Sequence, residues 1–233
     1  MKIAFVADLH GNWPATCALE KDLALQKPDR IICLGDLVGK GPSNAQTFDW
    51  VMAHCDQVIG GNWDYGVGHQ EFPNDQYYWE QLGQERLRML RALPAEAEMM
   101  LSGRRVRLMH GRPVMERLVT VKDPIDVIQP FFTDADGKPF DVVLYADAHR
   151  QGVRTVNPGM FINTGSVGNA MGVPFCCYAI VEAEPGGVSA PFEVRLRQLP
   201  YDREQAVRDA QAAPRVPLIE SYINEIRTGV YSR

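Results

Sequence analysis

Through the first third of the chain, short runs of wholly apolar residues alternate with stretches whose apolar positions recur every three or four residues. Residues 3–7 form such a run and end at Asp8. Behind it, residues 14–26 place Cys17, Leu19 and Leu23 at helical spacing after Asn12, a residue type that caps helix N-termini. The pattern repeats: residues 30–34 predict a strand running into Gly35-Asp36, residues 44–54 a helix behind Ser43, and residues 58–59 a third strand running into Gly60-Gly61-Asn62. Strands apolar on both faces, with helices between them, predict a parallel sheet covered on both sides. Residues 66–76 are polar and contain glycine, which predicts a loop. Residues 77–93 predict a helix that offers Trp79, Leu82, Leu87 and Leu90 to a core and stops at Pro94.

Beyond Pro94 the pattern turns to strands. Residues 99–101 and 106–109 predict a hairpin around Ser102-Gly103, and residues 142–145, 161–163, 175–181 and 192–199 predict further strands. Residues 202–212 and 218–228 predict closing helices. With no linker, repeat or low-complexity tract, residues 1–233 are expected to form one domain of two packed sheets with helices outside. The length of 233 residues permits a core without disulfides or structural zinc.

Composition narrows the function classes. A net charge of -5 argues against a general nucleic-acid binder. The longest apolar run, residues 175–181, is too short to span a membrane. Cys17, Cys33, Cys55, Cys176 and Cys177 contain no C-x-x-C pair and read as small buried hydrophobes in a reducing compartment. With no basic and apolar leader, the expected location is cytoplasmic.

The candidate chemistry stands where strands end, the edge at which open α/β sheets bind ligands. The first strand ends in Asp8-Leu9-His10, the second in Gly35-Asp36, and the third in Gly61-Asn62-Trp63-Asp64. The strand at 106–109 ends in His110-Gly111, and that at 142–145 runs into Asp147-Ala148-His149. Singly, each is a common turn or cap residue; five in succession are a pattern. Asp, Asn and His without thiolates suit Mn²⁺, Fe²⁺ or Zn²⁺, and Asp36 is the natural carboxylate to bridge two such ions.

In these motifs the chain resembles the calcineurin-like metallophosphoesterases, whose pattern runs D-x-H, G-D, G-N-H-[D/E], H and G-H-x-H. It is most similar to the compact bacterial and archaeal branch in Gly35-Asp36-Leu37-Val38-Gly39-Lys40-Gly41-Pro42, in His110-Gly111-Arg112-Pro113 and in Asn163-Thr164-Gly165-Ser166-Val167-Gly168. The resemblance runs from Ile3 to about Tyr201. It implies a four-layer α/β/β/α sandwich of two mixed sheets, and a phosphomonoester or phosphodiester hydrolase acting through a metal-activated water. Asp8, His10, Asp36 and His149 match the ligands of the family's first metal; Asp36, Asn62, His110 and Asp147 fall where it places those of the second. Asn62 would also hold phosphate, beside catalytic Asp36 and His110. The implied cofactors are one or two divalent ions, Mn²⁺ foremost, with Fe²⁺, Zn²⁺ or Mg²⁺ as alternatives. The implied partner is a small phosphoester; a homo-oligomer is left open.

Two positions depart from that pattern. Trp63 stands where the family has the histidine expected to protonate the leaving oxygen, and Asp147 stands where it has an imidazole. These departures keep a second reading open: a metal-binding or regulatory protein that retains the fold with weakened chemistry. His69 offers a substitute proton donor or a solvated loop histidine, and Trp63 a stacking surface or a cover for the core. Arg112 and Arg150, each directly behind a ligand motif, are candidate phosphate contacts. Arg86, Arg88, Arg91, Arg104, Arg105 and Arg107 form the one basic concentration, and the interleaved Glu80, Glu85, Glu96 and Glu98 make it a solvated face.

Overall fold

In the computed structural model, which describes residues 1–157 and 159–232, the apolar runs pair into two five-stranded mixed sheets. The first half reads β1 (Lys2–Val6), α1 (Trp13–Gln26), β2 (Arg30–Cys33), α2 (Asn44–His54), β3 (Gln57–Val58), α3 (Asn62–His69) and α4 (Gln76–Arg91). The second half reads β4 (Glu96–Leu101), β5 (Arg104–Met109), α5 (Ile125–Ile128), β6 (Val142–Tyr145), β7 (Gly152–Thr155), β8 (Met160–Asn163), β9 (Cys176–Ala183), β10 (Phe192–Leu199), α6 (Arg203–Gln211) and α7 (Ile219–Thr228).

One sheet has the order β10-β9-β1-β2-β3, the other β4-β5-β6-β8-β7. In the first, β1 pairs parallel with β2 and β2 with β3, while β9 and β10 are antiparallel additions. In the second, β5, β6 and β8 run parallel between antiparallel edges. Every parallel strand thus ends at the same rim of its sheet.

The sheets pack face to face. Ile3, Phe5, Ile32, Leu34 and Ile59 of one meet Val106, Leu108, Val142, Leu144 and Ile162 of the other in a fully buried core. Each such side chain contributes about 1.5–3 kcal/mol by leaving water. The outer face of the first sheet carries α1, α2 and α4 through Leu19, Phe48, Val51, Leu82, Leu87 and Leu90. The outer face of the second is covered more thinly. There Met115, Val119, Ile128 and Phe132, from a segment with only the one-turn α5 and a 3-10 turn, pack on Val143, Tyr145 and Phe161.

Residues 66–76, expected as a loop, are partly helical, because α3 extends through Gly66 and Gly68 to His69. Glycine inside a helix costs about 1 kcal/mol relative to alanine. Here the absent side chains are required by neighbours: a Cβ at Gly66 would stand 3.3 Å from the Phe72 ring, and one at Gly68 3.1 Å from Leu90 of α4. At the start of α3 the Asp64 carboxylate accepts the Gly61 N–H at 2.9 Å, which caps the helix. Strand β7 had no sequence signal, since it is a short edge strand with every second residue exposed. Of the arginine concentration, Arg107 bonds Glu96 at 2.8 Å and Arg105 bonds Glu98, whereas Arg86 bonds Asp49 and Arg91 and Arg104 bond backbone carbonyls. All five cysteines are free. Among the described residues no helix is long and apolar enough to cross a membrane.

The turn after β8 joins the two sheets at their shared rim. Val167 N–H donates to Ala7 O and Gly168 N–H to Asp8 O, both at 2.9 Å, and Ser166 Oγ donates to Asp8 O at 3.0 Å. A Cβ on Gly168 would stand 1.9 Å from the Leu9 carbonyl oxygen, so the backbones touch. Gly168→Ala should therefore cost about 2–3 kcal/mol through a forced shift of this rim. Urea denaturation measures it; wild-type stability in that variant would mean the turn yields freely.

Candidate metal centre

The local backbone at the strand ends is unusual. Asp8, His10, Asp36, Asp147 and His149 all have φ between 48° and 62°, the left-handed region. Asp and His tolerate this conformation better than most residues, yet it costs of order 1–3 kcal/mol each and persists only where the surroundings impose it. Here the bends are imposed by cross-links between neighbouring strand ends: Asp8 N–H donates to Gly35 O at 2.9 Å and His10 N–H to Asp36 O at 3.2 Å. Each chain thereby turns its side chain back over the end of its own sheet.

The result is a buried cluster. Asp8, His10, Asp36 and His149 each offer a ligand atom, and these atoms all lie within 4.8 Å of one another. His10 Nε2 is 3.4 Å from Asp36 Oδ2 and 3.2 Å from His149 Nε2, and His149 Nε2 is 3.4 Å from Asp8 Oδ1. His110, from the end of β5, adds its Nε2 at 3.3 Å from Asp36 Oδ2 and 3.7 Å from Asp8 Oδ1.

All three imidazoles are oriented alike. His10 Nδ1 lies 3.0 Å from Val38 O, His110 Nδ1 2.7 Å from Leu34 O, and His149 Nδ1 2.6 Å from Asn169 O. A carbonyl only accepts, so each Nδ1 carries the donated proton and each Nε2 is turned toward the cluster. Neither Asp8 oxygen has a hydrogen-bond partner, nor does Asn62 Oδ1, though all are buried. Orphaned buried oxygens cost about 1–3 kcal/mol each, more when charged, and a divalent cation relieves that cost. The donor set fits one.

Electrostatics agrees. Burial pushes the Asp8 carboxyl well above its usual range; the Asp36 and Asp147 charges add to this, and His110 opposes it. Burial alone would lower the His110 imidazole, but Asp36, Asp8 and Asp147 outweigh it and raise the group to about 10. Without a cation, the cluster therefore holds protons at neutral pH.

A residue the sequence reading left without a role organises the bend at Asp36. Asp64, wholly buried, accepts Asp36 N–H at 2.7 Å, Leu37 N–H at 2.9 Å and Gly61 N–H at 2.9 Å. Burial and the Asp36 charge push its carboxyl up to about 7, with the Gly61 and Asp36 N–H donors pulling the other way. Its signal was its place in the Gly61-to-Asp64 motif. Lys40, also missed, bonds Asn169 Oδ1 at 2.9 Å, and that asparagine's carbonyl holds His149.

The other expected site residues separate into two groups. Asn62, Lys40, Trp63 and Arg112 line one cleft of about 520 Å³, with Phe72 and Tyr231 at its wall. Arg150 instead lines a different cleft of about 360 Å³ beside His149. Asp147 lies 3.9 Å from His110 through Oδ1, but Arg112 holds its carboxylate. The Trp63 ring packs where a Gly39 Cβ would be, 2.2 Å from Cε3, and meets His10 edge-on at 5.7 Å between centroids. His69 is exposed at the last turn of α3, its Nδ1 3.0 Å from Tyr65 O. A wider cleft of about 1050 Å³, between α1 and α6, has none of the cluster in its wall.

A model of the calcineurin-like phosphoesterase superfamily domain matches residues 1–186. The chain belongs to this superfamily. The phosphoesterase fold is shared with a metallophosphoesterase from Sphaerobacter thermophilus, at a TM-score of 0.75 and 23% identity, and with a hypothetical protein from Pyrococcus horikoshii OT3, at 0.78 and 21%. Both alignments cover 99% of each chain. An uncharacterised protein of Methanocaldococcus jannaschii is 31% identical over 121 residues, 48% of this chain. That match spans 49% of the relative's own length. The phosphoesterase family is metal-dependent, and the buried Asp/His cluster is where this member could hold its metal.

Two outcomes are expected. Because the Asp8 carboxyl is raised, its proton competes with a cation, and the apo fold loses that proton's contribution as pH rises through the raised pKa. Mn²⁺ should therefore raise the melting temperature more at pH 8 than at pH 6, and equal shifts in differential scanning would refute this. Asp64→Ala leaves three buried N–H groups unpaired, and should weaken Mn²⁺ affinity roughly 10–100-fold without touching a ligand. Calorimetric titration measures it; unchanged affinity would show that Asp36 keeps its bend unaided.

Proposed function

We propose that the protein is a metal-dependent phosphoester hydrolase whose substrate lies in the cleft over Asn62, Lys40 and Arg112. The observation that carries this is the buried set of Asp8, His10, Asp36 and His149, with both Asp8 oxygens partnerless and the Nε2 atoms uniformly directed, beside a cleft that supplies two cationic side chains. When bound, a divalent cation supplies an acidified water and neutralises phosphate charge. Mixed oxygen and nitrogen donors suit Mn²⁺, Fe²⁺ or Zn²⁺, of which we take Mn²⁺ as the working ion.

The chain's own residues bind and orient. Asn62 stands at the N-terminus of α3, where N–H groups and the helix dipole favour anions. Its side chain lines the cleft, where the amide nitrogen can donate to a phosphoryl oxygen. Arg112 and Lys40 add positive charge on the same side. Trp63, Phe72 and Tyr231 offer apolar surface to the ester's organic group.

Trp63 shapes substrate preference. It fills the position of the family's proton donor with a ring packed on Gly39 and His10. His69, at the exposed end of α3, is not in the wall of the cleft. Leaving groups that depart as stable anions should then be favoured. The second reading, a binding protein with weakened chemistry, draws on the same substitution.

Asp36→Asn should remove most bound Mn²⁺ and lower turnover at least 100-fold; full metal content in that variant would sink the assignment. Aryl phosphoesters should be hydrolysed far faster than alkyl ones, and Trp63→His should narrow the gap, with roughly 10²–10⁴-fold as its ceiling. The gain is limited by the space left against Gly39. Paired aryl and alkyl rates decide the matter. Equal rates on both classes would mean protonation is not limiting, and no turnover of either with metal bound would favour the binding-protein reading.

A further inference from the structure

The carboxylate of Asp147 is already engaged. Arg112 Nε donates to its Oδ2 at 2.8 Å, Nη2 to its Oδ1 at 2.6 Å, and the Arg112 backbone N–H to Oδ2 at 3.1 Å. This is a two-pronged guanidinium–carboxylate pair, the arrangement in which such ion pairs are strongest, with a main-chain bond added. The acid is buried, while the Arg112 side chain is 39% exposed and so reaches the solvent side of the cleft.

The backbone fixes the pair as well. Gly111 has φ 144°, and a Cβ there would stand 2.7 Å from Asp147 Cβ, so the 110–112 segment lies directly on this side chain. Oδ1, the oxygen that faces His110, is the one that accepts from Nη2. A second cation shared by His110 and Asp147 would meet a fixed positive charge on that same oxygen.

We propose that the centre holds a single cation, at Asp8, His10, Asp36 and His149, and that the Arg112 guanidinium, clamped by Asp147, occupies the second position and binds a phosphoryl oxygen there. This rests on the phosphoesterase reading and refines it. Two of the five Arg112 N–H groups are committed to Asp147, and the side chain lines the cleft with Asn62 and Lys40. Donors therefore remain for an anion. Asp147 acts as a positioning residue: it touches neither metal nor phosphate, and sets the plane and place of the guanidinium.

Metal content and phosphate binding test this without reference to turnover. Wild-type protein loaded with excess Mn²⁺ and desalted should contain one equivalent. Asp147→Asn should keep that equivalent, with Mn²⁺ affinity within about twofold, because Asp147 is not a ligand. Inorganic phosphate, titrated into the Mn²⁺ form, should bind at least tenfold more weakly in Arg112→Ala, with metal content unchanged, and Arg112→Lys should recover part of the loss. Asp147→Asn keeps an acceptor for the Arg112 N–H, and stays informative if Arg112→Ala leaves a buried charge unpaired and unfolds the rim. Two tightly held equivalents in the wild type, loss of metal in Asp147→Asn, or unchanged phosphate affinity in Arg112→Ala would each overturn the proposal. One equivalent with Arg112-dependent phosphate binding, but no hydrolysis of any phosphoester, would uphold it while removing the hydrolase reading. A chain that takes up no metal would remove both.

Discussion

Like charge held out of water is the constraint on which the rest depends. Asp8 and Asp36 bring carboxylates to within reach of the same imidazoles, wholly or almost wholly buried, and no hydrogen bond reaches either Asp8 oxygen. Two carboxylates so placed, one of them without a hydrogen bond, cost more than most single interactions in a fold contribute. The arrangement is sustainable only because protons or a cation neutralise it, and because the scaffold is rigid enough not to relax away from it. The rest of the molecule can be understood as that scaffold. The sheets share a dry core directly behind the cluster, and left-handed turns are cross-linked from strand to strand.

Rigidity comes from interleaved backbone and side-chain bonds in which each loop is held by another. The loop after β1 is held by the loop after β2, and that loop by Asp64 of α3. The turn after β8 closes over Asp8, while Asn169 behind it holds His149 and is itself bonded by Lys40. Glu225 of α7, fully buried, reaches the same asparagine. A change in any one of these would move a ligand by fractions of an ångström, which is enough to alter a metal's affinity although the ligand itself is untouched. The chemistry and the stability of this rim are therefore not separable properties.

How much of this was legible in the sequence depended on range. Strands buried on both faces and helices with a clear apolar stripe were visible, because their signals lie within a dozen residues. The candidate ligands were visible too, since a parallel strand delivers its next residues to one predictable rim; Asp8, His10, Asp36 and His149 do come together there. Local signals misled at α3, where Gly66 and Gly68 suggest a loop but serve the close approach of Phe72 and α4. They were silent at β7, an edge strand with half its residues in solvent. The pairing of Arg112 with Asp147 could not be seen at all, because it joins residues 35 positions apart through a contact that no periodicity encodes.

That pairing and Trp63 bear on the same question, which is how far the surroundings of a centre can change while the centre stays fixed. Both alter what stands beside Asp8, His10, Asp36 and His149 without altering those residues. At Trp63, an apolar ring lies against Gly39 and the edge of His10, so packing covers that face of the cluster. At Asp147, the negative charge of a buried acid is met by the Arg112 guanidinium. One side chain is thus accommodated by van der Waals contact and the other by an ion pair. In both cases the side chain is held by its own neighbours beside the cluster of Asp8, His10, Asp36 and His149, so the geometry of that cluster and the character of the adjoining cleft are set by different contacts.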